Sequence, residues 1–152
     1  MHARCPVGLA IFGNVKRRLS KPEYEHLAAF RYALRRFLRF SEEAVRQSGL
    51  EPQQHQALLA VEGFPGRERL TLGELAEQLQ IKPHSAVGLV NRLVDQGLMA
   101  RKAGVEDKRE VNVVLTARGK DVLEGLSEVH RDELKRLGPH LSALLQRLAG
   151  PH

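Results

Sequence analysis

Apolar residues recur along this chain in blocks whose spacing changes along its length. Tyr24, Leu27, Phe30, Leu34, Phe37, Phe40 and Ala44 follow one another at intervals of three and four, with Arg31, Arg35, Arg36 and Arg39 between them. That period predicts a long amphipathic helix. Ser20-Lys21-Pro22-Glu23 supplies its start: Ser20 caps, Pro22 lies in the first turn, and Glu23 closes a capping box. Ser48-Gly49 ends it, Gly49 being free to adopt positive φ. A second helix opens at Pro52, turns Ala57, Leu58 and Val61 inward, and stops at Gly63 before the loop Phe64-Pro65-Gly66. Thr71-Leu72-Gly73-Glu74 is another capping box, leading into Leu75, Ala76 and Leu79. Lys82-Pro83 starts the next helix, with Val87, Val90, Leu93 and Val94 as its expected apolar face and Gly97 past its end.

The period then shortens. Leu98 to Lys102 reads as a short strand, 103–108 as an exposed turn, and Glu110 to Leu115 as a second, β-branched strand. Together they predict a hairpin. Thr116 caps a final helix carrying Val122, Leu126, Val129, Leu134 and Leu137. Gly138-Pro139 is expected to kink or break it, with Leu141, Leu144, Leu145 and Leu148 forming a terminal amphipathic helix.

Helix, short turn, helix and hairpin over Thr71 to Leu115 is the order of a winged helix-turn-helix. A second helix that enters a major groove needs small or polar residues near its N-terminus. His84, Ser85, Gly88, Asn91 and Arg92 meet that need, with Lys82 at the helix start. A hairpin tip bearing Lys108 and Arg109 can reach phosphates or the adjacent minor groove. The net charge of +6 agrees with a polyanionic partner. The competing reading is a winged module that contacts protein only.

The residues between Leu50 and Leu123 resemble the DNA-binding core of the MarR family of transcriptional regulators. The resemblance rests on Leu72-Gly73-Glu74-Leu75-Ala76 and on the run from Val90 through Asn91-Arg92-Leu93-Val94-Asp95-Gln96-Gly97 to Leu98. It continues at Arg101, at Asp107-Lys108-Arg109 and at Val114-Leu115-Thr116-Ala117-Arg118-Gly119. It implies that Arg109 enters the minor groove, that Asp107 holds arginine side chains by ion pairing, and that Arg101 stands at the wing's base with Lys102 beside it. Many family members carry threonine or serine followed by arginine early in the recognition helix. This chain has Val87-Gly88 there, which shifts readout toward His84, Ser85 and Asn91. The resemblance also implies a small-molecule effector, with Tyr24, Phe30, Arg31, His55 and Phe64 as candidate lining residues.

Other chemistry finds little footing. No nucleophile elbow, phosphate loop or metal-hydrolase motif is present, so an enzyme is not expected, and no cofactor or metal is expected either. The histidines His26, His55, His84, His130 and His140 show no pair at ligand spacing on one helix face, and solvated or capping roles are expected for them. The single cysteine, Cys5, excludes an intrachain disulfide and agrees with a reducing cytoplasm. It precedes the first helix with only Arg4 as a charged neighbour, so an inert thiol is expected. A redox or metal sensor on the same fold is the alternative. The apolar run Val7 to Phe12 is interrupted by Gly8 and followed by its basic cluster, the reverse of a secretory signal, and no run is long enough to span a membrane.

The expected fold is therefore mainly α. Residues 1–20 form an N-terminal arm, 21–49 and 117–152 a helical dimerisation region, and 50–116 the winged helix-turn-helix. The expected protein is a cytoplasmic homodimer acting on a pseudo-palindromic operator in double-stranded DNA, as a ligand-responsive repressor, with no membrane partner.

Overall fold

In the computed structural model, residues 18–150 are described. Helix α1 (Lys21–Gln47) begins as its sequence predicts: the Ser20 hydroxyl accepts the Glu23 N–H, and the Glu23 carboxylate accepts the Ser20 N–H at 2.7 Å. Its inward stripe is Phe30, Ala33, Phe37, Phe40 and Ala44, at alternating intervals of three and four, with the buried Val45 next to Ala44. Tyr24, Leu27 and Leu34 lie outside that stripe and remain exposed. The aromatic residues of the helix thus divide between two faces.

Helix α2 (Pro52–Glu62) is the centre of the core. Ala57, Leu58 and Val61 are fully buried. After a loop, strand β1 (Leu70–Thr71) leads into α3 (Leu72–Leu79), whose capping box is complete: Glu74 N–H donates to the Thr71 hydroxyl, and the Glu74 carboxylate accepts the Thr71 N–H. That backbone bond, the Thr71 hydroxyl and the adjacent Arg67 guanidinium hold the Glu74 carboxyl below its ordinary pKa. Helix α4 (Pro83–Asp95) follows, then strands β2 (Met99–Ala103) and β3 (Val111–Leu115) and the long helix α5 (Ala117–Ala149).

The three strands form one antiparallel sheet in the order β1-β3-β2, with Leu70 opposite Val113 and Arg101 opposite Val113 on the other side. The hairpin was expected and β1 was not. Two residues are too few to display an alternation, and these two merge into the capping box. The core runs through α2, α3, α4 and the sheet. It also takes in Val45 from α1 and Leu123 and Leu126 from α5, so the helical pair is rooted in the winged unit.

Two expectations need correction. Helix α5 runs unbroken through Gly138-Pro139, so the expected break and separate terminal helix are not found. Proline removes one intrahelical N–H and crowds the preceding turn, but Pro139 faces outward while Leu137 and Leu144 on either side are buried, and α5 packs along α1. Tertiary packing holds the two halves in one helix. The buried face of α4 is Ala86, Leu89, Val90 and Leu93, whereas Val87 is 39% exposed. The helical phase is set by Ala86 and Leu89, which the expected face omitted. Residues 1–17, including Cys5 and most of the expected arm, lie outside the described residues.

Candidate nucleic-acid interface

The candidate interface is built on the outer face of α4. The turn that aims this helix runs through Gln80, which adopts a left-handed conformation (φ 52°) and donates its side-chain amide to the Glu77 carbonyl at 2.8 Å. Lys82 is the N-cap; Pro83 carries no N–H, and the Ser85 and Ala86 N–H groups donate to the Lys82 carbonyl at 3.0 and 3.2 Å, so the exposed Lys82 ammonium is the group this end offers to a phosphate oxygen. Lys82, His84, Ser85, Asn91 and Arg92 are all exposed, and Gly88 is half-buried near the Arg92 guanidinium. Val87 joins this face. Sequence reasoning placed it in the core, although its offset of three from His84 and four from Asn91 puts it in phase with both.

The wing stands beside that face. Arg101, on β2, donates from its guanidinium to the Asn91 side-chain carbonyl on α4. Lys102 is exposed and pairs in register with Asn112. Beyond them the chain turns tightly: Gly104 N–H donates to the Glu110 carbonyl at 2.7 Å and Glu110 N–H to the Asp107 carbonyl at 3.0 Å. Gly104 is required there, because a Cβ would sit 2.3 Å from the Asp107 carbonyl oxygen.

Asp107 behaves differently from what the resemblance implies. Its carboxylate accepts the Arg109 backbone N–H at 2.9 Å, and no ion pair to it occurs among the described residues. It shapes the turn from within, as a short carboxylate two residues upstream of an amide commonly does. Lys108 and Arg109 extend from that turn as exposed cations.

The opposite end of the wing is anchored by a joint that sequence reasoning read only as a helix cap. Thr116 N–H donates to the Leu98 carbonyl at 3.1 Å, its hydroxyl donates to the Gly97 carbonyl at 2.7 Å, and the same hydroxyl accepts the Gly119 N–H at 3.0 Å. Gly119 lies against Leu98 so closely that a Cβ would meet the Leu98 carbonyl oxygen at 2.1 Å. The Leu115-Thr116-Ala117-Arg118-Gly119 segment thereby welds the start of α5 to the corner between α4 and β2. Lys120 adds ion pairs to Glu62 at 3.2 Å and Glu68 at 2.6 Å, which raise its pKa.

The candidate effector residues are dispersed. Tyr24 and Arg31 are exposed on α1, and Phe30 is half-buried on its inward side. Phe64 packs on the core beneath the Arg67 guanidinium, 4.8 Å from its ring centre. His55 is buried and lies against His130 of α5, correcting the expectation of solvated or capping histidines for this pair. Elsewhere on α1 a shallow, open surface depression is formed by residues of that helix alone, with Arg35, Arg36 and Arg39 beside Tyr32, Leu38, Glu42 and Glu43. No group of three or more potential metal ligands occurs among the described residues.

Comparison with known proteins gives a consistent result. Residues 48–110 match the profile of the MarR family. An organic hydroperoxide resistance transcriptional regulator of Bacillus subtilis is 33% identical over 91 residues, which cover 53% of this chain and 62% of that protein. This chain therefore aligns with less than two thirds of that relative. Among solved structures, AbsC, a MarR family transcriptional regulator from Streptomyces coelicolor, superposes with a TM-score of 0.66 at 19% identity, covering 79% of this chain and 80% of AbsC. A mutant of MepR from S. aureus bound to an oligodeoxyribonucleotide superposes with a TM-score of 0.60 at 20% identity, covering 80% and 84%.

Proposed function

We propose that this chain, whose residues 48–110 match the profile of the MarR family, is a transcriptional regulator of that family, not an enzyme, that grips duplex DNA as a homodimer. One observation carries the reading. A polar, basic face on α4 is tied through Asn91 and Arg101 to a wing whose tip carries Lys108 and Arg109. A recognition helix and a cationic hairpin on one side of a small domain can occupy a major groove and the phosphates or minor groove next to it. The oligonucleotide in the MepR complex supports the same use of this fold.

In this reading His84, Ser85, Asn91 and Arg92 face bases, Gly88 allows close approach, Lys82 and Lys102 meet phosphates, and Arg109 enters the minor groove. Two-fold symmetry then gives half-sites about 10 base pairs apart. Repression follows when the bound dimer occludes the promoter. The effector part of the reading rests on the stretch of α1 where Arg35, Arg36 and Arg39 stand with Glu42 and Glu43, a mixed-charge lining that suits a polar ligand held beside the subunit contact at Leu38. Such a ligand acts by favouring a dimer whose recognition helices are misplaced.

Fluorescence anisotropy with genomic fragments at several salt concentrations tests the reading. Sequence-selective binding that weakens steeply with salt is expected. A protein that ignores duplex DNA at low salt is instead a protein-contact module.

A further inference from the structure

The outer face of α4 is polar except at its centre. Val87 is 39% exposed there, while its helix neighbours Ala86 and Val90 are fully buried. About two fifths of its surface is open to solvent, and it sits one turn from both His84 and Asn91, which are exposed. The adjacent Gly88 has no side chain, and a Cβ there would meet only the end of the Arg92 side chain, at 3.7 Å. The face is therefore flat beside Val87, and the helix can approach a surface closely at that point.

A branched apolar side chain in the middle of a groove-facing polar surface has one apolar counterpart in the major groove of DNA. That counterpart is the C5-methyl group of thymine; the other base edges there present hydrogen-bond donors and acceptors. A polar base edge opposite Val87 would lose its water without gaining a partner, which costs free energy. A methyl opposite Val87 instead removes apolar area from water on both sides.

We infer that Val87 is a specificity-determining residue that reads a thymine methyl in each half-site. The inference rests on the DNA-binding reading above and adds a base identity to it. It also explains how this chain can discriminate bases without an arginine at the next position.

The test uses the full-length chain and an operator obtained by selection from genomic DNA. Each thymine in the footprint is replaced in turn by deoxyuridine, which keeps every hydrogen-bonding group and removes only the methyl. At one thymine per half-site, the wild-type protein is expected to lose about fourfold in affinity, the worth of one buried methyl-sized group. Val87→Ala is expected to bind the thymine operator more weakly and to lose little or nothing further on deoxyuridine. Val87 is exposed on a helix, so alanine leaves the fold intact, and circular dichroism checks this. Val87→Thr, which retains one methyl, should retain part of the deoxyuridine effect. If no thymine methyl matters to the wild-type protein, or if Val87→Ala is as sensitive as wild type, the inference is overturned while DNA binding stands. If no duplex is selected at all, the functional reading fails and takes this inference with it.

Discussion

The imidazole rings of His55 and His130 lie 4.7 Å apart, tilted by 41°, where α2 of the winged unit meets the long helix α5. Phe37 and Phe40 of α1 meet the His130 ring edge-on, and the Ser41 carbonyl lies 3.5 Å from its Nε2. The Nε2 of His55 is buried without a partner. Burial first, and then the charge of His130, lower the His55 pKa to about 4. The ring is therefore neutral in the folded protein.

The sign of the resulting pH dependence follows. A histidine whose folded pKa is depressed contributes its full stability above the unfolded value of 6.5 and loses it as pH falls toward 4. Between pH 7 and pH 5 this group alone should remove about 2 kcal/mol from the unfolding free energy. Urea midpoints across that range measure the loss, and His55→Phe should flatten the profile by the same amount. Equal slopes in wild type and variant would remove His55 as the cause.

Arg101 and Asn91 couple the wing to the recognition helix. A guanidinium only donates, so the Asn91 amide must turn its oxygen toward Arg101 and its NH2 group away. Substituting either residue by alanine should therefore cost overlapping parts of the same discrimination. In a double-mutant cycle on operator against random DNA, a coupling of about 0.5–1 kcal/mol is expected. Strict additivity would show that the contact seen in the free protein is abandoned on DNA.

Arg109 offers a different signature. A guanidinium at the wing tip neutralises phosphate charge and favours a narrow groove, with little dependence on individual bases. Arg109→Ala should weaken operator and random duplexes alike and lower the salt slope by about one. Asp107→Ala should act in the same direction but less, because Asp107 holds only the Arg109 backbone N–H in place. An unchanged salt slope in Arg109→Ala would take the wing off the DNA.

The boundaries of the elements were legible because they are marked locally. Ser20, Thr71 and Thr116 each cap a helix through a bond to a residue three positions on. The winged order and the α4 face could be read from spacing alone, apart from Val87, where the phase was set by the wrong apolar residues. What spacing along one element cannot show is a contact between elements. His55 and His130 are far apart in sequence and meet only because α2 and α5 pack together. The same holds for Gly119, whose necessity comes from the Leu98 carbonyl pressed against it.

That close approach makes Gly119 a stability determinant. Gly119→Ala would drive a methyl into the Leu98 carbonyl, and relief requires the start of α5 to lift from the corner between α4 and β2. A loss of about 1–3 kcal/mol is expected, outweighing alanine's better helix propensity. Thr116→Ala should cost about 1 kcal/mol through loss of the cap. Both are read from urea unfolding. A stabilised Gly119→Ala would mean that the corner yields without cost.

The dimer reading has its own physical basis. Tyr24, Leu27, Leu34 and Leu38 recur on α1 at helical spacing and are 57%, 37%, 37% and 53% exposed. Leu134 and Leu145 repeat the pattern on α5, at 45% and 51%. A set of large apolar side chains exposed along two adjacent helices is unusual on a monomer and marks an interaction surface. Because α1 and α5 are rooted in the same core as α4, a partner held on these helices fixes the spacing of the two recognition helices. Sedimentation at micromolar concentration should give a mass near twice 17.0 kDa. Leu38→Asp places a charge in the middle of that stripe, at a position too exposed to disturb the subunit's own core. It should yield a folded monomer with native helix content and a large loss of operator affinity, because each half-site must then be bound independently. A Leu38→Asp protein that stays dimeric and binds the operator normally would place the subunit contact elsewhere.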